Sequence, residues 1–186
     1  MNSVLPFDEL NKFKEQLRAR FGTGPLPKER KVEDDIIDSL LELLILAYAM
    51  GNNVTNENLS SNWKPTLDEV EEVVDKRIAG ETWKERVRRW FDEGGAEEDI
   101  ERIAETETHR VAVTSALETA KHGGATTKTW ITMMDDRVRE QHDWLEGVTI
   151  GIDDDFYAPD GSHAPAPGMF GVPEQDVNCR CELVFS

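Results

Sequence analysis

The run Lys121-His122-Gly123-Gly124-Ala125-Thr126-Thr127-Lys128-Thr129-Trp130-Ile131-Thr132-Met133 changes character part-way through. Up to His122 it ends a segment of helical texture that begins near Glu98. Gly123 and Gly124 then supply the residues that close a helix most readily. Beyond them Thr, Trp and Ile dominate, and these side chains suit a pleated strand. The stretch therefore predicts a long helix over 98–122, a sharp stop, and a strand over 126–133.

Towards the N-terminus the chain reads as helices separated by breaks. Phe7, Leu10, Phe13 and Leu17 give Pro6–Phe21 one apolar face, and Gly22–Pro27 interrupts it. Val32–Met50 is apolar around most of its circumference, with Gly51 as its expected end. Such a helix has to be covered on nearly every side, by its own chain or by a partner. Ile37, Leu41 and Leu44 are the candidate partner-binding residues. Thr66 with Glu69 and Thr82 with Glu85 have the spacing of capping boxes, and each precedes an apolar stripe, so two short helices are expected there.

Towards the C-terminus, Asp135–Trp144 returns to helical spacing, Val148–Ile152 alternates, and Pro159, Gly161, Pro165, Pro167, Gly168 and Pro173 mark a long ordered loop. Asn178–Phe185 alternates as a closing strand. Helices first and strands later, without βαβ alternation, predict an α+β fold. Residues 1–97 form a helical region and 98–186 a small α+β domain with a long Pro/Gly-rich loop and a closing C-terminal strand.

Composition limits the function. The 186 residues carry a formal net charge of -17, of which -2 falls on residues 1–65, -7 on 66–110 and -8 on 111–186. So acidic a chain is repelled by a polyphosphate backbone, which argues against nonspecific coating of nucleic acid. The densest apolar run, Leu40–Met50, contains Glu42 and is about half of the ~20 residues a membrane span needs. With no signal-peptide pattern at the N-terminus, the expectation is a soluble protein made in the cytoplasm.

Cys179 and Cys181 are the only two cysteines. A disulfide across one residue is strained, so reduced thiols or a shared metal are the readings left. On a strand both cysteines face the same side as Leu183 and Phe185, with Cα atoms roughly 6.5 Å apart. Rotamer choice can bring their sulfurs to the separation that ~2.3 Å zinc bonds require. Burial as two small apolar side chains is the competing reading.

Asp135, Arg139 and His142 fall at i, i+4 and i+7, which on a continuous helix makes a polar ridge with Asp135 and His142 roughly 10 Å apart along the axis. Asp135 would then cap the helix or pair with Arg139, leaving His142 free to face the cysteines. On the long helix, Glu105 and Glu107 with His109 resemble a metal half-site only loosely, and His109 is expected to pair with Glu105. Asp153-Asp154-Asp155 lacks the spacing of a calcium loop and reads as a solvated turn.

Taken together, Thr106-Glu107, Lys128-Thr129-Trp130, Asp135-Asp136-Arg137-Val138-Arg139-Glu140-Gln141-His142, Glu146-Gly147, the Pro-rich loop and Asn178-Cys179-Arg180-Cys181 resemble the phage Mu F-like head morphogenesis family, also described as phage minor capsid proteins. The motifs occur in order over about residues 98–186. Glu105 and Val113 depart from the family pattern, where Arg and Asn are frequent. The resemblance implies a virion head component made in the bacterial host cytoplasm. It would be incorporated at the portal region during head assembly and could leave with the DNA. The partners implied are the portal protein, scaffold or other head proteins, with self-association a further option. Joined to the resemblance, the donor set points to one structural zinc on His142, Cys179 and Cys181, with Asp136, Asp143 or His163 as candidate fourth ligands. Asp135, Arg139 and Glu107 are then structural polar residues. The alternative is a metal-dependent hydrolase or toxin-like transferase, with those three ligands around a catalytic zinc and Asp135 or Glu107 as base.

Overall fold

The computed structural model describes residues 3–22 and 24–186, so Thr23, inside the Gly22–Pro27 break, lies outside the described residues. Five helices come first: α1 (Phe7–Phe21), α2 (Arg30–Leu59), α3 (Leu67–Val74), α4 (Trp83–Glu93) and α5 (Glu97–His122). There follow β1 (Thr127–Ile131), α6 (Glu140–Asp143), β2 (Thr149–Gly151), β3 (Phe156–Tyr157), β4 (His163–Ala164), α7 (Pro173–Asp176) and β5 (Glu182–Phe185). The fold is α+β with a helical N-terminal region.

The central rod is α5, buried along nearly its whole length. Its most extensive contact is with α2, and small side chains let the two approach closely. The Ser115 hydroxyl donates to the Tyr48 carbonyl at 2.7 Å, and Asn52 Nδ2 donates to Thr119 Oγ1 at 2.9 Å. Gly51 stands at this crossing. A Cβ there would drive into the Ala112 carbonyl oxygen and approach Ser115 Cβ to 3.1 Å. The sequence reading of Gly51 as a helix end is therefore corrected. The helix runs eight residues past it to Leu59, because this glycine serves a close helix contact rather than a stop. Gly51→Ala is expected to lower stability by about 1–3 kcal/mol, overpacking outweighing the gain in helix propensity. An unchanged urea midpoint would contradict it.

The same packing corrects the docking face. Ile37 and Leu44 are core residues, and Leu41 is half-buried against the core. The large apolar side chains of α2 left in the open are Ile45 and Leu46, each about half exposed.

Local rules held where the interaction is local. Thr66 and Thr82 each accept from the backbone N–H three residues on, and Glu69 and Glu85 return the bond, completing both capping boxes. The acidity of α5 is met by α1: Lys14 pairs with Glu105, and Arg18 with Glu97 and Glu101.

The sheet is antiparallel in the order β2-β1-β5, with Thr129 opposite Thr149 on one side and Trp130 opposite Leu183 on the other. Lys128 and Trp130 share its core face and are fully buried. The Lys128 ammonium lies 5.6 Å from the centre of the Phe156 ring, and burial pulls its pKa down.

The expected helix over Asp135–Trp144 is the largest departure. Only Glu140–Asp143 is helical, and Arg139 before it is extended. Asp135 instead closes a local turn, its Oδ1 accepting from Arg137 N at 3.1 Å, a competitor to helix that Asp side chains commonly offer. The closing strand likewise begins late, at Glu182, although Cys179, Cys181 and Leu183 keep the alternating buried positions.

Candidate metal centre

His142 sits on the one turn of α6, and its N–H is held by the Arg139 carbonyl at 2.9 Å. The ring is walled by aromatics: Trp130 meets it edge-on at 5.3 Å between centroids, and Phe170 stacks on it at 5.7 Å. Phe170 is fixed from behind. The Asp176 carboxylate at the end of α7 accepts from the N–H groups of Phe170 and Gly171, at 2.9 and 2.6 Å. Burial pushes its pKa up against the pull of those bonds. The Asp176 carbonyl accepts from Cys179 N at 3.2 Å, and Asn178 adopts a left-handed conformation. One short helix thus aims both Phe170 and Cys179 at the imidazole.

The result is a buried cluster. Nδ1 of His142 is 3.7 Å from Cys179 Sγ and 3.6 Å from Cys181 Sγ. The three ligand atoms lie within 4.8 Å of one another, and among the described residues no other His, Cys, Asp or Glu joins them. Zinc bonds of ~2.3 Å to sulfur and ~2.0 Å to nitrogen at a tetrahedral angle place S and N roughly 3.6 Å apart. The observed separations match that edge. Hydrogen bonding alone explains the arrangement less well, since Nδ1 offers one in-plane lone pair to two thiols. The hydrogen bond from Cys181 pulls the Cys179 thiol well below its usual range, with His109 and His142 helping against burial. Cys181 is pushed up in turn, by that hydrogen bond, by burial and by the charge beside it. The donor set could hold a metal ion, and a soft one fits it best.

The other residues singled out in the sequence go elsewhere. Asp135 forms a two-pronged pair with Arg180 at 2.7 and 2.8 Å, which holds its carboxyl below the usual range. Arg139 donates to the Val177 carbonyl. The proposed ridge of Asp135, Arg139 and His142 is therefore corrected: without a continuous helix, no common face exists. Glu107 is buried between Arg86 and Arg110. Arg110, which the sequence reading passed over, also donates to the carbonyls of Val73 and Val74, tying the end of α3 to α5. Asp136 and Asp143 are exposed, and His163 pairs with Asp155 at 2.8 Å, so none of the expected fourth ligands reaches the cluster. Glu105 pairs with Lys14, not with His109.

The model of the family described as "Phage Mu protein F like protein" matches residues 67–184, from the start of α3 into β5. The chain belongs to the phage Mu protein F-like family. The family match takes in α3 and α4 as well as the cysteine cluster. Among curated proteins, the chain is 32% identical over 142 residues to NAD(+)--arginine ADP-ribosyltransferase EFV of Enterococcus faecalis, covering 70% of this chain and 29% of that protein. It is 34% identical over 85 residues to Minor head protein GP7 of Bacillus phage SPP1, covering 44% of this chain and 28% of that protein. The aligned parts thus span less than a third of either relative. No solved structure matches the chain. No helix among the described residues is long and apolar enough to cross a membrane.

Proposed function

We propose that this chain is a minor protein of a phage head, built into the particle at the portal region during assembly. The observation that carries the reading is the family match over residues 67–184, joined to the similarity to Minor head protein GP7. In this reading residues 1–97 supply the docking segment and 98–186 the rigid α+β body. Its partners are the portal, scaffold or other head proteins, and the body can leave with the DNA. Docking falls to the outer face of α2, where Leu41, Ile45 and Leu46 lie within about one and a half helical turns of one another. Ile45→Asp with Leu46→Asp should leave thermal unfolding near that of the parent, because both side chains are already half in water, while incorporation into heads falls away. Normal incorporation of a folded double variant would remove the docking role.

His142, Cys179 and Cys181 take a structural zinc in the same reading, tying α6 to the segment before β5. The zinc would supply a crosslink that the short elements of this half otherwise lack. A second reading is enzymatic: three ligands leave a coordination position for water, and the similarity to an ADP-ribosyltransferase supplies a reaction class. Incubation of the purified zinc-loaded protein with NAD as the ADP-ribosyl donor and an arginine acceptor, with nicotinamide as the product released, separates the two. Transfer or NAD hydrolysis that disappears in Cys181→Ser favours the enzyme, and no turnover favours the structural role.

A further inference from the structure

His109 lies on α5, remote in sequence from the cysteines, yet its Nε2 is 2.8 Å from the Cys181 carbonyl oxygen across 72 residues. A carbonyl oxygen only accepts, so Nε2 carries the proton, and in the neutral ring Nδ1 is bare. That nitrogen is buried without a hydrogen-bond partner. What faces it is Gly168, where a Cβ would stand 2.7 Å from Nδ1 and 3.1 Å from Cε1. The ring is thus gripped on one side by the Pro/Gly-rich loop and directed on the other at a single backbone oxygen.

The grip has a mechanical consequence. Cys181 lies just before β5 begins at Glu182, so it precedes the paired residues that fix the rest of the strand against β1. His109 itself is buried on the most deeply buried helix, two residues from Glu107, whose charge is held by Arg86 and Arg110. A hydrogen bond from a fixed donor to the carbonyl of a ligand residue sets the backbone from which that thiol projects. It therefore sets the 3.6 Å separation between Cys181 Sγ and His142 Nδ1.

We propose that His109 is the positioning residue of the metal centre. It touches no metal itself. It holds the Cys181 backbone so that the three donors form one preorganised tripod, and Gly168 is glycine so that the ring can occupy this place. The proposal rests on the metal reading of His142, Cys179 and Cys181. It assigns a role to a histidine that sequence spacing paired with Glu105.

Cobalt(II) titration of the purified full-length chain, followed by its thiolate charge-transfer absorption and by zinc competition, tests this. His109→Gln places an amide N–H near the position of Nε2, whereas His109→Leu fills similar space with no donor. His109→Leu is expected to weaken cobalt and zinc binding by about 10–100-fold and to alter the charge-transfer band, the range typical of lost outer-shell partners. His109→Gln should stay close to the parent in both readouts. Circular dichroism and thermal unfolding of the metal-free variants identify simple misfolding, in which case His109→Gln against the parent carries the comparison. Equal affinity and an unchanged band in a folded His109→Leu would overturn the positioning role. So would a folded His109→Gln as weak as the Leu variant. A parent protein that takes up neither cobalt nor zinc would overturn the underlying metal reading instead, a result visible before any variant is made.

Discussion

Arg110→Ala is expected to lower folding stability by about 3–5 kcal/mol, the cost of removing one partner from a buried ion pair. The size follows from what the guanidinium does. Its side chain is 2% exposed and that of Glu107 1%. Arg110 Nε donates to Glu107 at 2.9 Å, while the two other nitrogens serve the Val73 and Val74 carbonyls at 2.8 and 3.2 Å. Alanine would leave a buried carboxylate dependent on Arg86 alone and would remove the donors from two carbonyls at the end of α3. Lysine should not rescue it, because a single ammonium cannot reach the carboxylate and two carbonyls in the planar arrangement that a guanidinium provides. Urea unfolding of the parent, Arg110→Ala and Arg110→Lys measures both claims. A midpoint for Arg110→Ala within experimental error of the parent would show that the triad contributes no net stability.

Cys181→Ser is expected to abolish metal uptake and to lower the melting temperature by roughly 10 °C or more in zinc-loaded samples. The segment joining α7 to β5 carries two of the three donors, and the third sits on the single turn of α6. Neither element has enough backbone hydrogen bonds to hold itself, so most of the order gained from a bound ion would be gained there. Purified parent protein should carry about one equivalent of zinc, and a chelator should reproduce the melting temperature of Cys181→Ser. Purified parent protein that carries no metal, and whose melting temperature a chelator leaves unchanged, would eliminate the zinc. The same result would leave the buried thiols as a sulfur-imidazole hydrogen-bonded cluster.

Much of the fold was legible in the sequence because the interactions that set it are short-range. Thr66 and Glu69, or Thr82 and Glu85, meet within one helical turn wherever the chain goes, so their capping boxes could be read directly. The Gly123-Gly124 stop, the change to Thr, Trp and Ile after it, and the alternation of Cys179, Cys181 and Leu183 are likewise properties of consecutive residues. Family membership was legible for a related reason: the motifs keep their order along the chain.

Tertiary structure decided what depends on partners distant in sequence. Gly51 reads as a stop until α5 is laid against it, and then it is the only residue type that fits beside the Ala112 carbonyl. Asp135 has the spacing to cap a helix and pair with Arg139. Arg180, 45 residues away, supplies a two-pronged partner and draws the carboxylate out of that helix. Ile37 and Leu44 belong to an apolar helix whose covering could come from any side, and only the packing of the chain shows that they are core residues. The site divides in the same way. Its donor types could be named from residues 142, 179 and 181, but their separation of 3.6–3.7 Å depends on Asp176, Phe170 and the late start of α6. Sequence spacing determines which side chains share a face, whereas contacts across tens of residues depend on which burial and charge pairings win when every element is packed at once.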